Sequence, residues 1–565
     1  MIKKNRLIGI LSILAILLLA SCAQQPVTKP IDPAILYQNE RAALAQNALA
    51  QHQPRQTLKI LNHIPAVSMP ANILSNHYRL RADAYAMIGN HIESARELIW
   101  REQYLTEDGI NNNHLAIWEQ LSLLSNEALA YLRTATAPDI LSGWMELLYI
   151  TRSYQQDEKQ LKVRIQEWLQ RYSQHPATID MLPQFTEQSQ RRNSLQKRIK
   201  RIALLLPLEG KLATNASNIR DGLMAALLQY PAEKRPELRI YDSSGDSSLI
   251  TDIYQMATAD GADFVIGPLR KEAVEELSRQ TNLPVPVLAL NQINSESTPD
   301  NFYQFALSPE DEAWQVAERA RLAGHQQALA LLPQGNWGDR VLQAFSEHWL
   351  DIGGNMLEVQ RYDRSKVDFS DPIQALLDLD QSKKRYRQLK RITGKAIQFE
   401  PRRRQDADFV FLLSTPNTAR LLRPQFRFHR ASSLPIYATS HIYTGYPNPK
   451  LDQDLNGIRF CDIPWTLPQQ FTSPLTQQME RWWSQDMQHY RRLIALGIDS
   501  YGILPYLKEL GSGAYHRYDG MTGVLQLDEQ RRIHRNLVWA QFKKGKPALL
   551  PDISVDIPEQ SRDII

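Results

Sequence analysis

The chain has 565 residues, with 65 Lys and Arg against 61 Asp and Glu, which gives a formal net charge of +4. This length exceeds one ordinary domain and predicts two or three. The near balance of charge argues against a nucleic-acid binder and against an acidic solvating tail.

The N-terminus has the features of an export signal. Cations within the first six residues precede an uncharged run at 7–20, which is shorter than the roughly 20 apolar residues of a stable membrane anchor. The Leu-Ala-Ser-Cys sequence that ends at Cys22 resembles the bacterial lipobox, whose cysteine receives a lipid. We predict a signal peptide at 1–21 and lipidation of Cys22, with an ordinary signal peptide and a chance cysteine as the alternative.

The residue after the cysteine indicates which membrane carries the anchor. In Gram-negative lipoproteins an Asp after the cysteine favours the inner membrane, so Ala23 predicts an anchor in the outer membrane with the body on the periplasmic face. Residues 22–31 are polar and contain two prolines, so they form a lipidated tether. Once Cys22 carries a lipid, Cys461 has no partner for an internal disulfide.

Residues 32–186 predict an all-helical domain. Asp32 can cap a helix that has Pro33 at its first position, and no alternating strand pattern follows. One segment has the spacing of a tetratricopeptide unit, in which small residues let paired helices approach and a glycine lies at the turn; its residues are Ala82, Tyr85, Gly89 and Ala95. An irregular helical bundle is the alternative.

After a basic linker at 187–200, the pattern changes to apolar strand runs that alternate with amphipathic helices. This alternation predicts parallel sheets covered on both faces over residues 201–565. The strand rhythm starts again near Ala328, so we predict two similar α/β lobes in series.

Four segments of this half resemble type I periplasmic binding proteins, and they occur in the order of that family. Residues 204–229 match the opening strand, loop and helix, and residues 263–277 match a strand that ends in Gly-Pro beside the cleft. Residues 329–354 match the start of the second lobe, and residues 518–546 match the closing hairpin with its edge strand.

The lipobox, the helical half and the two-lobed half together resemble the LpoA family, outer-membrane lipoproteins that activate penicillin-binding protein 1A. The resemblance implies a regulator without a cofactor that docks on this inner-membrane synthase and stimulates its transpeptidation, and it leaves contact with peptidoglycan open. The alternative is a lipid-anchored periplasmic solute receptor for a small amino-acid-like or muropeptide ligand.

In the resembled binding proteins, loops after the strands line a cleft between the lobes. The corresponding loops here contribute Glu209, Gly210, Lys211, Pro268, Leu269, Asn291, Gln292 and His441. A salt bridge between Glu209 and Lys211 departs from the small hydroxyls and backbone N–H groups that hold amino-acid ligands. A lobe pair kept as a scaffold is therefore the competing interpretation.

No catalytic or metal site is predicted. Ser194 and Lys197 match the S-x-x-K of penicillin-interacting enzymes, but the chain has no S-D-N or K-T-G to complete that site. The thirteen histidines lack metal-ligand spacing, and Cys461 lies in an apolar strand run that favours a buried thiol.

Residues 382–404 form a basic insertion with ten Lys and Arg and one acid, Glu400. Such a segment could meet an acidic partner surface or an anionic glycan by charge steering. Nucleic acid is not the expected partner, because aromatic residues are sparse among these cations. A flexible, solvated loop between a helix centred on Leu389 and the next strand is the alternative.

Replacing Cys22 with Ala removes the thiol that would accept the lipid. We expect the variant to carry no lipid and to accumulate as a precursor or a soluble form. Metabolic labelling with a tagged fatty acid measures this, and undiminished label on Cys22→Ala would contradict the prediction.

Overall fold

The computed structural model describes residues 32–550 with several short gaps. The gaps are 64, 66–67, 125, 134–136, 138, 155–157, 184–193, 195–197, 296, 395–397, 468–474, 476–478, 480, 482–486 and 512–516. The predicted signal peptide 1–21, the tether 22–31 with Cys22, and most of the linker 187–200 lie outside the described residues.

The N-terminal half is built from helices, and its described residues contain no β-strand. The helices are Pro33–Ala50, Pro54–Ile60, Ala71–Met87, His91–Glu102, Glu107–Ser122, Asn126–Leu132, Ile140–Ser153 and Glu158–Arg171. Asp32 caps the first helix as predicted, because its carboxylate accepts from the Ala34 N–H at 2.8 Å. Trp144 and Trp168 are fully buried in the shared core.

The predicted tetratricopeptide-like unit is a pair of packed helices, Ala71–Met87 and His91–Glu102. Gly89 lies at the turn between them with φ of +75°, a conformation that favours glycine. Ala82 and Ala95 are buried in the same core. Small side chains at these two positions let the helices approach closely.

The first lobe contains an eight-stranded sheet. Its strands are β1 Arg201–Leu206, β2 Glu237–Asp242, β3 Phe264–Ile266, β4 Val287–Ala289, β5 Phe302–Phe305, β11 Tyr518–Gly520, β12 Gly523–Leu527 and β13 Arg532–Asn536. Their order across the sheet is β11-β12-β13-β5-β4-β3-β1-β2. Along β1, Ile202 and Leu204 pack into one core while Ala203 and Leu205 pack into another, so both faces are covered.

The second lobe contains a seven-stranded sheet. Its strands are β6 Gln327–Pro333, β7 Asn355–Tyr362, β8 Phe409–Leu412, β9 Ile436–Ala438, β10 Ile458–Asp462, β14 Val538–Lys543 and β15 Lys546–Leu549. Their order is β15-β14-β10-β9-β8-β6-β7. The helices of the two lobes are Ala213–Leu228, Ile250–Ala259, Lys271–Ser278, Pro309–Leu322, Asn336–Asp351, Ser370–Leu376, Leu379–Thr393, Pro416–Phe428, Met487–Gly502 and Leu507–Leu510.

The chain passes between the lobes three times. The first passage follows β5, the second follows β10, and the third joins β13 to β14 at Leu537. The C-terminal strands are thus divided between the two sheets, where β12 pairs with β11 and β13, and β14 with β10 and β15, in antiparallel fashion. These antiparallel pairs agree with the closing hairpin and edge strand that the resemblance implied, and the remaining strand pairs of both sheets are parallel.

Two glycines allow a close helix crossing in the first lobe. A Cβ placed on Gly222 would lie 2.0 Å from the carbonyl oxygen of Ile494, and one on Gly497 would lie 1.9 Å from that of Ile219. Each glycine therefore sits against the backbone of the other helix. This contact fixes helix Met487–Gly502, which follows the second passage, onto helix Ala213–Leu228.

Replacing Gly222 with Ala should destabilise the protein by about 3 kcal/mol, because a backbone atom cannot yield as a flexible side chain can. The matched control is Gly245→Ala, where a Cβ meets nothing within 4 Å and φ is not positive. Chemical unfolding of both variants measures the difference. Equal midpoints for the two variants would contradict the predicted close contact.

Candidate functional site

The loops that follow the first-lobe strands gather at the carboxyl edge of the sheet. After β1, the backbone N–H of Leu208 donates to Asp242 at 3.0 Å, and that of Glu209 donates to the Ser244 hydroxyl at 2.8 Å. These bonds leave Glu209, Gly210 and Lys211 exposed at the surface. The predicted salt bridge between Glu209 and Lys211 is not among the ion pairs of the described residues.

The loops after β3 and β4 are joined by hydrogen bonds. The N–H of Leu290 donates to the carbonyl of Pro268 at 2.9 Å, and the Asn291 amide donates to the carbonyl of Leu269 at 3.0 Å. The Gln292 amide donates to the carbonyl of Ile533 at 3.1 Å. The structure brings these four predicted residues together, but both carboxamides hold loops rather than project as unengaged ligand donors.

His441 lies in the second lobe, directly after β9, and its side chain is one-third exposed. Its ring centroid is 5.3 Å from that of Trp337, and its Nδ1 is 3.2 Å from the Thr439 hydroxyl. The same nitrogen is 3.5 Å from a carboxylate oxygen of Glu312. His441 is therefore the predicted residue that reaches the passage between the lobes.

Glu312 is a buried carboxylate on helix Pro309–Leu322, which forms the first passage. It accepts the N–H of Ser440 at 2.9 Å and its hydroxyl at 3.0 Å, and it pairs with the buried Arg535 of β13 at 3.3 Å. Burial opposes ionisation, but His441, Arg535 and Ser440 together lower the pKa of Glu312 to about 2. One carboxylate thus joins both lobes and two of the three passages.

The second passage has its own ion pair, between a buried carboxylate and a partly exposed guanidinium. Arg492, on helix Met487–Gly502, donates to both oxygens of Asp462 at 2.9 and 2.6 Å. The same guanidinium donates to the carbonyls of Ser440 and Tyr443, both at 3.1 Å. A bidentate arginine with all of these partners fixes orientation as well as distance.

A second polar cluster lies beside Glu312. His534 of β13 is 3.1 Å from Asp311 and 3.0 Å from Asp528, and its ring stacks on Trp314 with centroids 5.8 Å apart. Burial disfavours the imidazolium, but the two carboxylates outweigh burial and raise the pKa of His534 to about 9. His534 is therefore a cation at neutral pH.

These clusters were missed by the sequence analysis, which considered only loops after strands. Asp462 ends an apolar strand run. A charge in that place could have predicted a buried ion pair, since buried charges need partners. Glu312 carries no such signal, because acids are common in the first turn of a helix. These ion pairs and hydrogen bonds join the two lobes at the passages.

The residues described by the structure offer no evident catalytic or metal centre. No three His, Cys, Asp or Glu side chains among them are grouped so as to hold a metal ion. The Cys461 thiol is buried, and burial raises its pKa well above the ordinary value, so it is not a thiolate nucleophile. None of the described helices is long and apolar enough to cross a membrane.

The fold and the site define a class of protein: a two-lobed α/β body with ion-paired passages between its lobes, preceded by a helical N-terminal half. The chain belongs to the family described as "LppC putative lipoprotein", whose model matches residues 23–545.

Two similar relatives carry the name penicillin-binding protein activator LpoA. The one from Photobacterium profundum is 31% identical over 501 residues, which cover 87% of this chain and 79% of the relative. The one from Vibrio cholerae is 29% identical over 537 residues, which cover 93% of this chain and 86% of the relative. The predicted membership of the LpoA family is confirmed.

Solved structures of Haemophilus influenzae LpoA have the same fold. A monoclinic form aligns with a TM-score of 0.52 at 22% identity, covering 90% of this chain and 88% of that chain. Another structure of the full-length protein aligns with a TM-score of 0.51 at 22% identity, covering 91% and 88%. The predicted fold class, a helical domain followed by a two-lobed α/β domain, is confirmed.

Replacing His534 with Gln should destabilise the protein most at or below pH 6.5. The folded-state pKa of His534 is raised, so its contribution is complete below the unfolded pKa of about 6.5 and is lost as the pH rises to about 9. The difference in free energy of unfolding between wild type and variant should shrink by about 2 kcal/mol across this window.

Chemical unfolding at pH 6.5 and at pH 9 measures this difference. Trp314→Phe is the control, since it changes the ring stacked on His534 without removing a titrating group. The loss of free energy of unfolding in Trp314→Phe should be similar at both pH values. A His534→Gln difference that does not change with pH would contradict the predicted imidazolium.

Proposed function

We propose that this chain is an outer-membrane lipoprotein that regulates peptidoglycan synthesis. Cys22 carries the lipid, and the body faces the periplasm. There it binds the class A synthase penicillin-binding protein 1A and stimulates its transpeptidase activity, without catalysing a reaction itself.

The observation that carries this proposal is the relationship to proteins named as activators. Two of them align with 87% and 93% of this chain, so the likeness includes both the helical and the α/β halves. Family membership alone supports a lipoprotein of the bacterial envelope and does not say which membrane carries it. The lipobox-like sequence and Ala23 support the finer placement in the outer membrane.

We assign the two halves different tasks. Residues 32–186 space the α/β body from the outer membrane, and residues 201–565 dock on the synthase. The two halves touch: Arg517 donates to the carbonyl of Ser122 at 3.2 Å, and Arg152 lies 3.8 Å from Asp519. Such contacts favour a spacer that holds the body in a preferred orientation.

The basic insertion supplies a candidate docking element. Its first part lies in helix Leu379–Thr393, which is the helix expected around Leu389, and every residue from Arg387 to Thr393 is exposed. Leu389 and Ile392 share one face of this helix and are 52% and 82% exposed. Exposed apolar side chains among cations suit a partner surface that is acidic around an apolar patch.

Activation requires that the lipoprotein bind the active conformation of the synthase more tightly than the resting one. A ligand with equal affinity for both shifts nothing, however tightly it binds. A body whose lobes are held by buried ion pairs suits this task, because little of the binding energy is lost in ordering the binder.

The alternative is a lipid-anchored solute receptor that binds an amino-acid-like or muropeptide ligand in the cleft. The one-third exposed His441 beside Trp337 is the feature that favours it. Against it, Asn291 and Gln292 already donate to backbone carbonyls. These bonds fix the two carboxamides in their loops and leave at most one N–H of each for a ligand.

A reconstituted assay with lipid II, the synthase and residues 23–565 tests the proposal. We expect the lipoprotein to bind the synthase and to raise peptide crosslinking severalfold, and to crosslink nothing when added alone. Unchanged crosslinking together with no measurable binding would leave the solute receptor as the better interpretation.

A charge-reversal variant tests helix Leu379–Thr393, the proposed docking helix. Arg387→Glu, Lys390→Glu and Arg391→Glu together should slow association with the synthase about tenfold at low salt, because charges at an interface rim act mainly on the association rate. The deficit should shrink as added salt screens the charges.

The matched control reverses three exposed lysines in the turn between β14 and β15: Lys543, Lys544 and Lys546. This variant has the same net charge as the test variant and should associate at nearly the wild-type rate. Equal slowing in the two variants would indicate non-specific attraction and contradict the assignment of the docking helix.

A further inference from the structure

The first described helix, Pro33–Ala50, has one face packed on protein and the opposite face in solvent. Ala45 and Ala48 are buried on the inner face. There the Thr57 hydroxyl of the next helix donates to the Ala45 carbonyl at 3.2 Å, and Leu80 belongs to the same small core. The inner face thus holds the helix against the rest of the helical half.

The outer face of this helix is apolar. Leu36, Tyr37 and Leu44 are 51%, 58% and 58% exposed, and helical periodicity places them within an arc of about 100°. Glu40 lies in the same arc and is the only acid among the eighteen residues of the helix, while Arg41 is the only base. The terminal helix of a helical stack ordinarily needs a polar outer face for solubility. An apolar face in this position indicates that another surface covers it.

The one cation of the helix is engaged with the protein. The Arg41 guanidinium donates to the Ile60 carbonyl at 3.1 Å and lies 5.6 Å from the centre of the Tyr37 ring. Tyrosine is enriched where proteins meet the membrane–water interface, because its ring is apolar and its hydroxyl is polar. With Arg41 engaged and Glu40 exposed, the face suits an uncharged or zwitterionic surface better than an anionic one.

The position of the helix in the chain identifies that surface. Nine residues separate Asp32 from Cys22, the residue proposed to carry the lipid. A chain of that length spans at most about 36 Å, so the helix stays within this distance of the bilayer that holds the lipid. A short linker gives the second contact an effective concentration in about the millimolar range. A contact too weak to bind a bilayer alone can then persist.

We propose that helix Pro33–Ala50 lies on the zwitterionic phospholipid surface of the membrane that carries the anchor, with Leu36, Tyr37 and Leu44 against the lipid. This inference rests on the proposed lipidation of Cys22 and goes beyond it, because a lipid alone holds the chain without orienting it. The lipid and the helix together restrict the orientation of the helical half, and with it that of the α/β body that the helical half contacts.

The test uses the full mature chain, with a maleimide phospholipid coupled to Cys22 on vesicles of phosphatidylethanolamine and phosphatidylcholine. Cys461 is buried and does not compete for the maleimide. The photoreactive residue benzoylphenylalanine replaces Tyr37 in one sample and Tyr131, which is 76% exposed on helix Asn126–Leu132, in a second. We expect ultraviolet light to crosslink lipid to position 37 at least tenfold more than to position 131.

A pair of double variants gives the matched control. Leu36→Gln with Leu44→Gln should lower lipid crosslinking from position 37 at least fivefold, because the apolar face is lost. Leu350→Gln with Leu451→Gln removes two leucines of the α/β body that are 56% and 49% exposed, and it should leave the yield within twofold.

The proposal is overturned by equal lipid crosslinking from positions 37 and 131, or by equal losses in the two double variants. Crosslinks from position 37 to protein alone would also overturn it, because the tether or a second copy of the chain would then cover the face. The vesicle experiment attaches the lipid chemically, so it judges the helix whether or not the cell lipidates Cys22. A wild-type chain that takes up no fatty acid in the cell would contradict the proposed lipidation separately.

Discussion

The arrangement of the two lobes depends on the buried carboxylate of Glu312. Its oxygens accept from Ser440 of the second lobe and pair with Arg535 of the first, while its helix forms the passage between them. A buried ion pair adds little net stability, because desolvation offsets much of the attraction, but removing one partner leaves a costly unpaired charge. Any movement of one lobe against the other would separate these partners. The pair of Arg492 with the buried Asp462 opposes movement at the second passage in the same way.

This restriction separates the molecule from a receptor that closes on its ligand. Hinge closure needs a few residues that can absorb large changes of φ and ψ. Here, residues at the passages are joined by side-chain bonds, with Gln315 donating to the Arg535 carbonyl at 2.7 Å and accepting the Leu537 N–H at 2.7 Å. These bonds favour the arrangement of the lobes that the structure shows. A fixed surface can favour one conformation of a partner, which is what activation by binding requires.

Sequence patterns predicted the parts of this fold that rest on local periodicity. The apolar run of β1 and the small residues around Gly89 determine a strand and a helix pair almost independently of the rest of the chain. The division of β11–β15 between two sheets was not predictable in this way, because strand pairing depends on contacts distant in sequence. The burial of Glu312 was not predictable either, because it depends on elements more than a hundred residues away in sequence. The predicted cleft residues Asn291 and Gln292 lie together, but their bonds could not be read from spacing.

Two helices in series connect the helical half to the passages between the lobes. Helix Ala71–Met87 carries His77 and ends beside Gly89, where a Cβ would lie 2.8 Å from a methyl carbon of Leu322. Leu322 ends the helix whose first turn carries Glu312. This contiguity alone transmits no free energy. A ligand of the helical half would change the α/β body only if it bound two arrangements of that body with different affinity, and the same difference would then appear in the affinity of the body for its own partner. Because the ion pairs at Glu312 and Arg492 oppose a second arrangement, the physical expectation is that the helical half positions the α/β body and does not switch it.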